Sequence, residues 1–101
     1  LKELFEKSKN LGDKEAIIDV RNPDEYAEGH IAGSRNCPLP NIAQYVDELK
    51  SLDKVFIHCQ RGGRAQKAFD ALQQKGLNNV ICCAEGGMAE WKDAGYPVES
   101  S

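Results

Sequence analysis

Lys54-Val55-Phe56-Ile57-His58-Cys59-Gln60-Arg61-Gly62-Gly63-Arg64-Ala65 is the stretch whose reading decides the fold. It opens as a short, nearly continuous apolar run rich in β-branched and aromatic residues, the pattern of a strand buried on both faces. It closes at the start of a helical pattern: Ala65, Ala68, Phe69 and Leu72 recur at i, i+3, i+4 and i+7, and Gly76 fits the position just past a helix end. The segment therefore predicts a buried strand over 54–58, a short glycine-containing loop, and a helix over 63–75.

Outward from this centre the same alternation repeats. Ala16-Ile17-Ile18-Asp19-Val20 and Asn79-Val80-Ile81-Cys82-Cys83 read as further buried strands, and Ser34-Arg35-Asn36-Cys37, closed by Pro38 and Pro40, as a weaker one. Ile42, Tyr45, Val46 and Leu49 predict a helix over 42–50 with Asn41 as its N-cap. Asn22-Pro23-Asp24-Glu25 carries a cap residue, a proline at the first helical position and a glutamate three residues after the cap, and Gly29 stops the short helix it starts. Leu1, Leu4 and Phe5 suggest an amphipathic N-terminal helix. Met88 and Trp91 share a face of a last helix ending near Gly95-Tyr96-Pro97, and Glu99-Ser100-Ser101 reads as a solvated tail. Strands alternating with helices imply an α/β fold: a parallel sheet flanked by helices on both faces. In such folds ligands bind outside the carboxyl ends of the strands.

The chain has 101 residues. One domain spanning 1–101 is expected, with no room for a separate cofactor domain. The apolar fraction of 41% and charged fraction of 29% suit a globular domain, and the formal charge of −3 argues against an overall basic footprint for nucleic acid. No apolar run approaches the ~20 residues of a membrane span, and no secretory signal is visible. The first residue is Leu1, so a fragment, a processed form and a trimmed chain all stay open. A cytoplasmic monomer is the expectation, or a periplasmic one if a signal peptide was removed.

Four cysteines are present: Cys37, Cys59, Cys82 and Cys83. Adjacent residues on a strand face opposite ways, which disfavours a structural bridge between Cys82 and Cys83. No C-x2-C pair exists and there are only two histidines, so a zinc site is not expected; no cofactor is expected either. A reducing compartment fits better than an oxidising one.

Cys37, Cys82 and Cys83 read as small core residues. Cys59 does not. It stands at a strand end, before a glycine-containing loop and a helix start. Loop N–H groups can converge on its sulfur, the helix dipole adds partial positive charge, and Arg61 and Arg64 add two full charges. Each favours the nucleophilic thiolate. Gly62 and Gly63 would supply any positive φ angles that the bowl needs.

At these residues the sequence resembles the rhodanese-like domains. Four motifs carry the resemblance, in order along nearly the whole chain: Ile18-Asp19-Val20-Arg21 with Pro23, Glu25 and Tyr26; Gly29-His30-Ile31 with Gly33-Ser34 and Pro38; Cys59-Gln60-Arg61-Gly62-Gly63-Arg64, matching C-x-x-G-x-R; and Glu85-Gly86-Gly87 with Trp91 and Gly95-Tyr96-Pro97-Val98. The resemblance implies transfer of a sulfane sulfur. Cys59 would attack the outer sulfur of a small anionic donor such as thiosulfate, sulfite would leave, and a thiol or protein acceptor (cyanide in an assay) would take the sulfur from the Cys59 persulfide. Gln60, Arg61, Gly62, Gly63, Arg64 and Ala65 would bind the donor and the charged persulfide.

Cysteine phosphatases, the nearest rival, use His-Cys-x5-Arg, whereas four residues separate Cys59 from Arg64 here. The shorter loop suits a sulfur atom better than a phosphoryl group, and no aspartate general acid is evident. A sulfur carrier or regulatory interaction module with little turnover is the alternative. The remaining polar and aromatic residues read structurally. Asp19 suggests an ion pair with Arg21 or a loop cap, and His30 a hydrogen-bonded turn residue. His58 is expected in the core, Trp91 and Met88 in packing, Glu85-Gly86-Gly87 in a turn at the pocket mouth, and Tyr26 and Glu28 at the surface.

Overall fold

The computed structural model describes residues 11–31, 33–59, 63–82, 88–96 and 98–99. Its elements run β1 (Glu15–Asp19), α1 (Pro23–Glu28), β2 (Arg35–Asn36), a 3-10 helix (Leu39–Tyr45), α2 (Val46–Lys50), β3 (Lys54–His58), α3 (Gly63–Gln74), β4 (Val80–Cys82) and α4 (Met88–Asp93). The four strands form one sheet in the order β2-β1-β3-β4, and every pairing is parallel. The expected N-terminal helix, Cys83, Glu85-Gly86-Gly87 and Pro97 lie outside the described residues. Among those described, no helix is long and apolar enough to cross a membrane.

The near-continuous apolar runs are explained by two cores, one on each face. On one face Ala16, Ile18, Val55 and Ile57 pack with Ala65, Ala68 and Leu72 of α3 and with Ile42 and Leu49. On the other, Ile17 packs with Ile31 and Trp91, and Phe56 and Tyr96 close around them. Trp91 is buried and meets Tyr96 edge-on at 4.9 Å between ring centroids, which bears out its packing role.

Local expectations fare unevenly. The strand over 54–58 has the expected bounds, and Gly76, at φ +89°, terminates α3 as anticipated. The segment over 42–50 differs. It opens as a 3-10 helix, and Asn41 lies inside it, its N–H donating to the Pro38 carbonyl at 2.9 Å, instead of capping it. Pro40 sits in the first turn, where an N–H would have no intrahelical acceptor, so the segment tolerates it. Glu99 is also more than tail: it forms an antiparallel bridge with His30, two backbone bonds of 2.8 Å.

Ile57 sits at the centre of this packing, fully buried on the central strand. Ile57→Ala is expected to cost about 2–5 kcal/mol, the usual range for truncating a buried isoleucine. Ile81→Ala, at an exposed position of edge strand β4, should stay within about 0.5 kcal/mol. Urea unfolding of both variants checks this, with the midpoint moving and the slope unchanged.

Candidate active site

Parallel pairing brings the carboxyl ends of β1, β2 and β3 to one edge. Asp19 faces Asn36 on one side and His58 on the other. One residue further on, Val20, Cys37 and Cys59 pack together in the α3-side core. Cys59 is 1% exposed. Its Sγ accepts a hydrogen bond from the Ala65 N–H at 3.3 Å. Ala65 lies in the first turn of α3, where backbone N–H groups have no intrahelical partner. A sulfur there faces the positive end of a 12-residue helix.

Of the residues expected around the sulfur, Gly63, Arg64 and Ala65 form the start of α3; Gln60, Arg61 and Gly62 lie outside the described residues. Gly63 does not adopt a positive φ, and a Cβ built on it would meet nothing within 4 Å. Its conformational freedom is therefore not what shapes the helix start.

Arg64 does not present a lone charge. Its Nη1 and Nη2 donate to Glu25 Oε1 and Oε2 at 2.7 and 3.0 Å, a two-pronged pair. Glu25 comes from α1, where its Oε1 also accepts from the Asn22 N–H at 3.1 Å. One carboxylate thus closes the start of α1 and clamps the start of α3. The Arg64 hydrogen bonds hold the Glu25 carboxyl well below the usual range, at about 2, against the opposing effect of partial burial. Arg64 is in turn held charged, first by its hydrogen bonds to Glu25, against the opposing effect of partial burial. The sequence marks Glu25 only as a helix-start residue; nothing local announces its partner, 39 residues away.

A second ion pair is fully buried beneath the site. Arg21 Nε donates to both Asp19 oxygens at 3.0 Å, and Nη2 donates to Asp19 Oδ2 at 2.8 Å and to the Gly29 carbonyl at 2.7 Å. This is the expected structural pair. His58 is completely buried beside it, with Nε2 4.0 Å from Asp19 Oδ2 and neither ring nitrogen hydrogen-bonded. Burial depresses its basicity; the Asp19 charge opposes this, and Arg21 adds to it. His58 is thus a core residue, as expected, with its protonated form disfavoured by burial. His30 bonds the Tyr26 carbonyl through Nδ1 at 2.8 Å, as a turn residue should. Tyr26 is not simply a surface residue: its ring stacks on His30 at 3.8 Å and its hydroxyl donates to the Ser34 carbonyl. Cys37 is buried, and burial pushes its thiol up to about 11, which suits a packing residue. Among the described residues no group of His, Cys, Asp and Glu side chains could hold a metal ion.

The sign of the pH dependence follows. His58 is harder to protonate folded than unfolded, so stability should decline as pH falls below about 6.5. Glu25, low in the fold, contributes above its usual 4.5 and loses that contribution as pH falls toward about 2. Both partners of its pair are about one-third exposed. Glu25→Gln should therefore cost only about 1 kcal/mol at neutral pH, after solvent screening. Urea midpoints measured across the acid limb check this: Glu25→Gln should flatten the limb below about pH 4.5, and His58→Phe the decline that begins near pH 6.5.

Comparison with known proteins yields a consistent picture. A family model described as the rhodanese-like domain matches residues 1–94. The chain is 33% identical to a rhodanese-related protein from Thermoplasma volcanium, with a TM-score of 0.82 over 99% of this chain and 94% of that one. It is 34% identical to the thiosulfate sulfurtransferase GlpE of Pseudoalteromonas translucida, covering 83% of this chain and 81% of the relative. It is 30% identical to the putative sulfur carrier protein YrkF of Bacillus subtilis (strain 168), matching 88% of this chain but only 48% of that longer protein.

Proposed function

This chain belongs to the rhodanese-like domain family, and we propose that it acts as a thiosulfate-type sulfurtransferase through a persulfide on Cys59. The observation that carries the reading is the Cys59 sulfur at the end of the central strand, accepting the Ala65 N–H at the start of α3. The similarity to thiosulfate sulfurtransferases supports the substrate class.

The reaction has two half-reactions. The Cys59 thiolate attacks the outer sulfur of thiosulfate. A new S–S bond forms, the old one breaks, and sulfite leaves with the electron pair. An acceptor nucleophile then attacks the outer sulfur of the persulfide, and the Cys59 thiolate departs. Cyanide yields thiocyanate; a thiol yields a new persulfide. The amides at the start of α3 stabilise negative charge on sulfur in both steps, without reorganising. Arg64, held in place by Glu25, keeps N–H donors beyond those the carboxylate takes, and these would meet the anionic donor or the leaving sulfite. Gln60, Arg61 and Gly62 would complete the cradle.

A sulfur-carrier role is the second reading. The similarity to a putative sulfur carrier favours it, as does the Arg64–Glu25 pair, which offsets positive charge that would otherwise draw in a small anion. A carrier would form the same persulfide but turn over slowly without a protein partner.

Thiosulfate-to-cyanide transfer tests the proposal. Wild-type protein should turn over, and Cys59→Ser should not. Full activity in Cys59→Ser would refute the mechanism; a stable persulfide without turnover would select the carrier. Arg64→Ala should lower kcat/KM for thiosulfate about tenfold, the effect of one charge-assisted hydrogen bond. An unchanged value would remove Arg64 from donor binding.

A further inference from the structure

Cys82 is a second thiol on the same face of the sheet as Cys59. It ends β4, and its register partner on β3 is Ile57, two residues before Cys59. Residues two apart on a strand face the same way, and both cysteines accordingly pack in the α3-side core. Their sulfurs converge on one turn of α3. The Ala65 N–H reaches Cys59 Sγ at 3.3 Å, and the Cys82 thiol donates to Oε1 of the next residue, Gln66, at 3.8 Å. Gln66 is itself oriented, since its Nε2 donates to Asp70 Oδ1 at 3.1 Å. The two thiols differ in access: Cys59 is buried, whereas Cys82 is partly exposed.

The diagonal placement selects the chemistry. Neighbouring strands lie ~4.8 Å apart and two residues rise ~6.6 Å, which puts the two Cα atoms about 8 Å apart. A direct disulfide needs Cα atoms within about 6.8 Å. An outer persulfide sulfur on Cys59 extends the reach by an S–S bond of about 2 Å. The spacing that is too wide for a disulfide therefore suits transfer of a single sulfur atom.

Resting on the persulfide reading above, we propose that Cys82 is an internal sulfur acceptor that relays the sulfane sulfur from buried Cys59 toward the surface. The Cys82 thiol gives its proton to solvent, and its thiolate attacks the outer sulfur of the protonated Cys59 persulfide. The new S–S bond forms on Cys82, and the bond to Cys59 breaks. Cys59 leaves as a thiolate stabilised by the Ala65 N–H. Cys59 persulfide and Cys82 thiol become Cys59 thiolate, Cys82 persulfide and the proton released to solvent, with no net oxidation and no further reactant. A protein acceptor too bulky to reach Cys59 could then collect the sulfur from Cys82.

The test loads the protein with thiosulfate, removes excess donor, alkylates, and maps the mass of one added sulfur atom by fragmentation that separates Cys82 from Cys83. The expected result is added sulfur on both Cys59 and Cys82 in the wild type, on Cys59 alone in Cys82→Ser, and on neither in Cys59→Ser. Sulfur confined to Cys59 in the wild type overturns the relay and leaves the persulfide reading standing. Sulfur on Cys82 in Cys59→Ser overturns it too, because Cys82 would then be loaded directly. A Cys59–Cys82 disulfide would mean attack on the inner sulfur, and also refutes it. Absence of sulfur from Cys59 in both wild type and Cys82→Ser refutes the underlying persulfide reading. If Cys59→Ser fails to fold, Cys59→Ala supplies the same control, and a wild-type map with sulfur on Cys59 alone overturns the relay without either variant.

Discussion

Parallel pairing of β1 with β3 over five residues, Glu15 to Asp19 against Lys54 to His58, is the constraint on which the rest of the molecule depends. It sends the carboxyl ends of the strands to one edge and requires both faces of the sheet to be covered. Only strands apolar on both faces tolerate that burial. Ile17 and Ile18 satisfy it together: neighbours in sequence, they enter different cores. The same alternation separates His58 from Cys59 and sends the imidazole toward Asp19, while the thiol turns to α3.

Two ion pairs secure this edge, and they do different work. Asp19 and Arg21 are wholly buried, so each charge depends on the other and on the Gly29 carbonyl for compensation. Their worth lies in fixing how the chain leaves β1, since removing either partner would strand a buried charge. Glu25 and Arg64 are partly exposed and contribute less to stability. They join α1 to the first turn of α3, the turn whose amide meets the Cys59 sulfur. A clamp of this kind sets the position of the helix start whose Ala65 N–H meets the sulfur.

Much of this was legible in the sequence because its causes are local. Burial on both faces writes itself as an unbroken apolar run, a helix as a 3.6-residue period, and the place of Cys59 as a residue set between a strand and a glycine-marked helix start. The 3-10 opening at Leu39 was not legible from the period, since Ile42, Tyr45, Val46 and Leu49 bury the same face in either helix type. Tyr26 read as a surface residue because its partners, His30 and the Ser34 carbonyl, meet it only once the chain has turned.

By itself the sequence determined the fold class, the order of elements, the central strand and the cysteine at its end, all of which follow from periodicities and neighbours within a few residues. Only the tertiary structure decided that the Arg64 charge is shared with Glu25, that the His58 ring stands beside Asp19, and that Cys82 faces the same helix turn as Cys59. Those facts depend on strand register and on contacts between distant segments. Hydrophobic pattern specifies which face a residue takes; it does not specify which distant side chain will stand opposite.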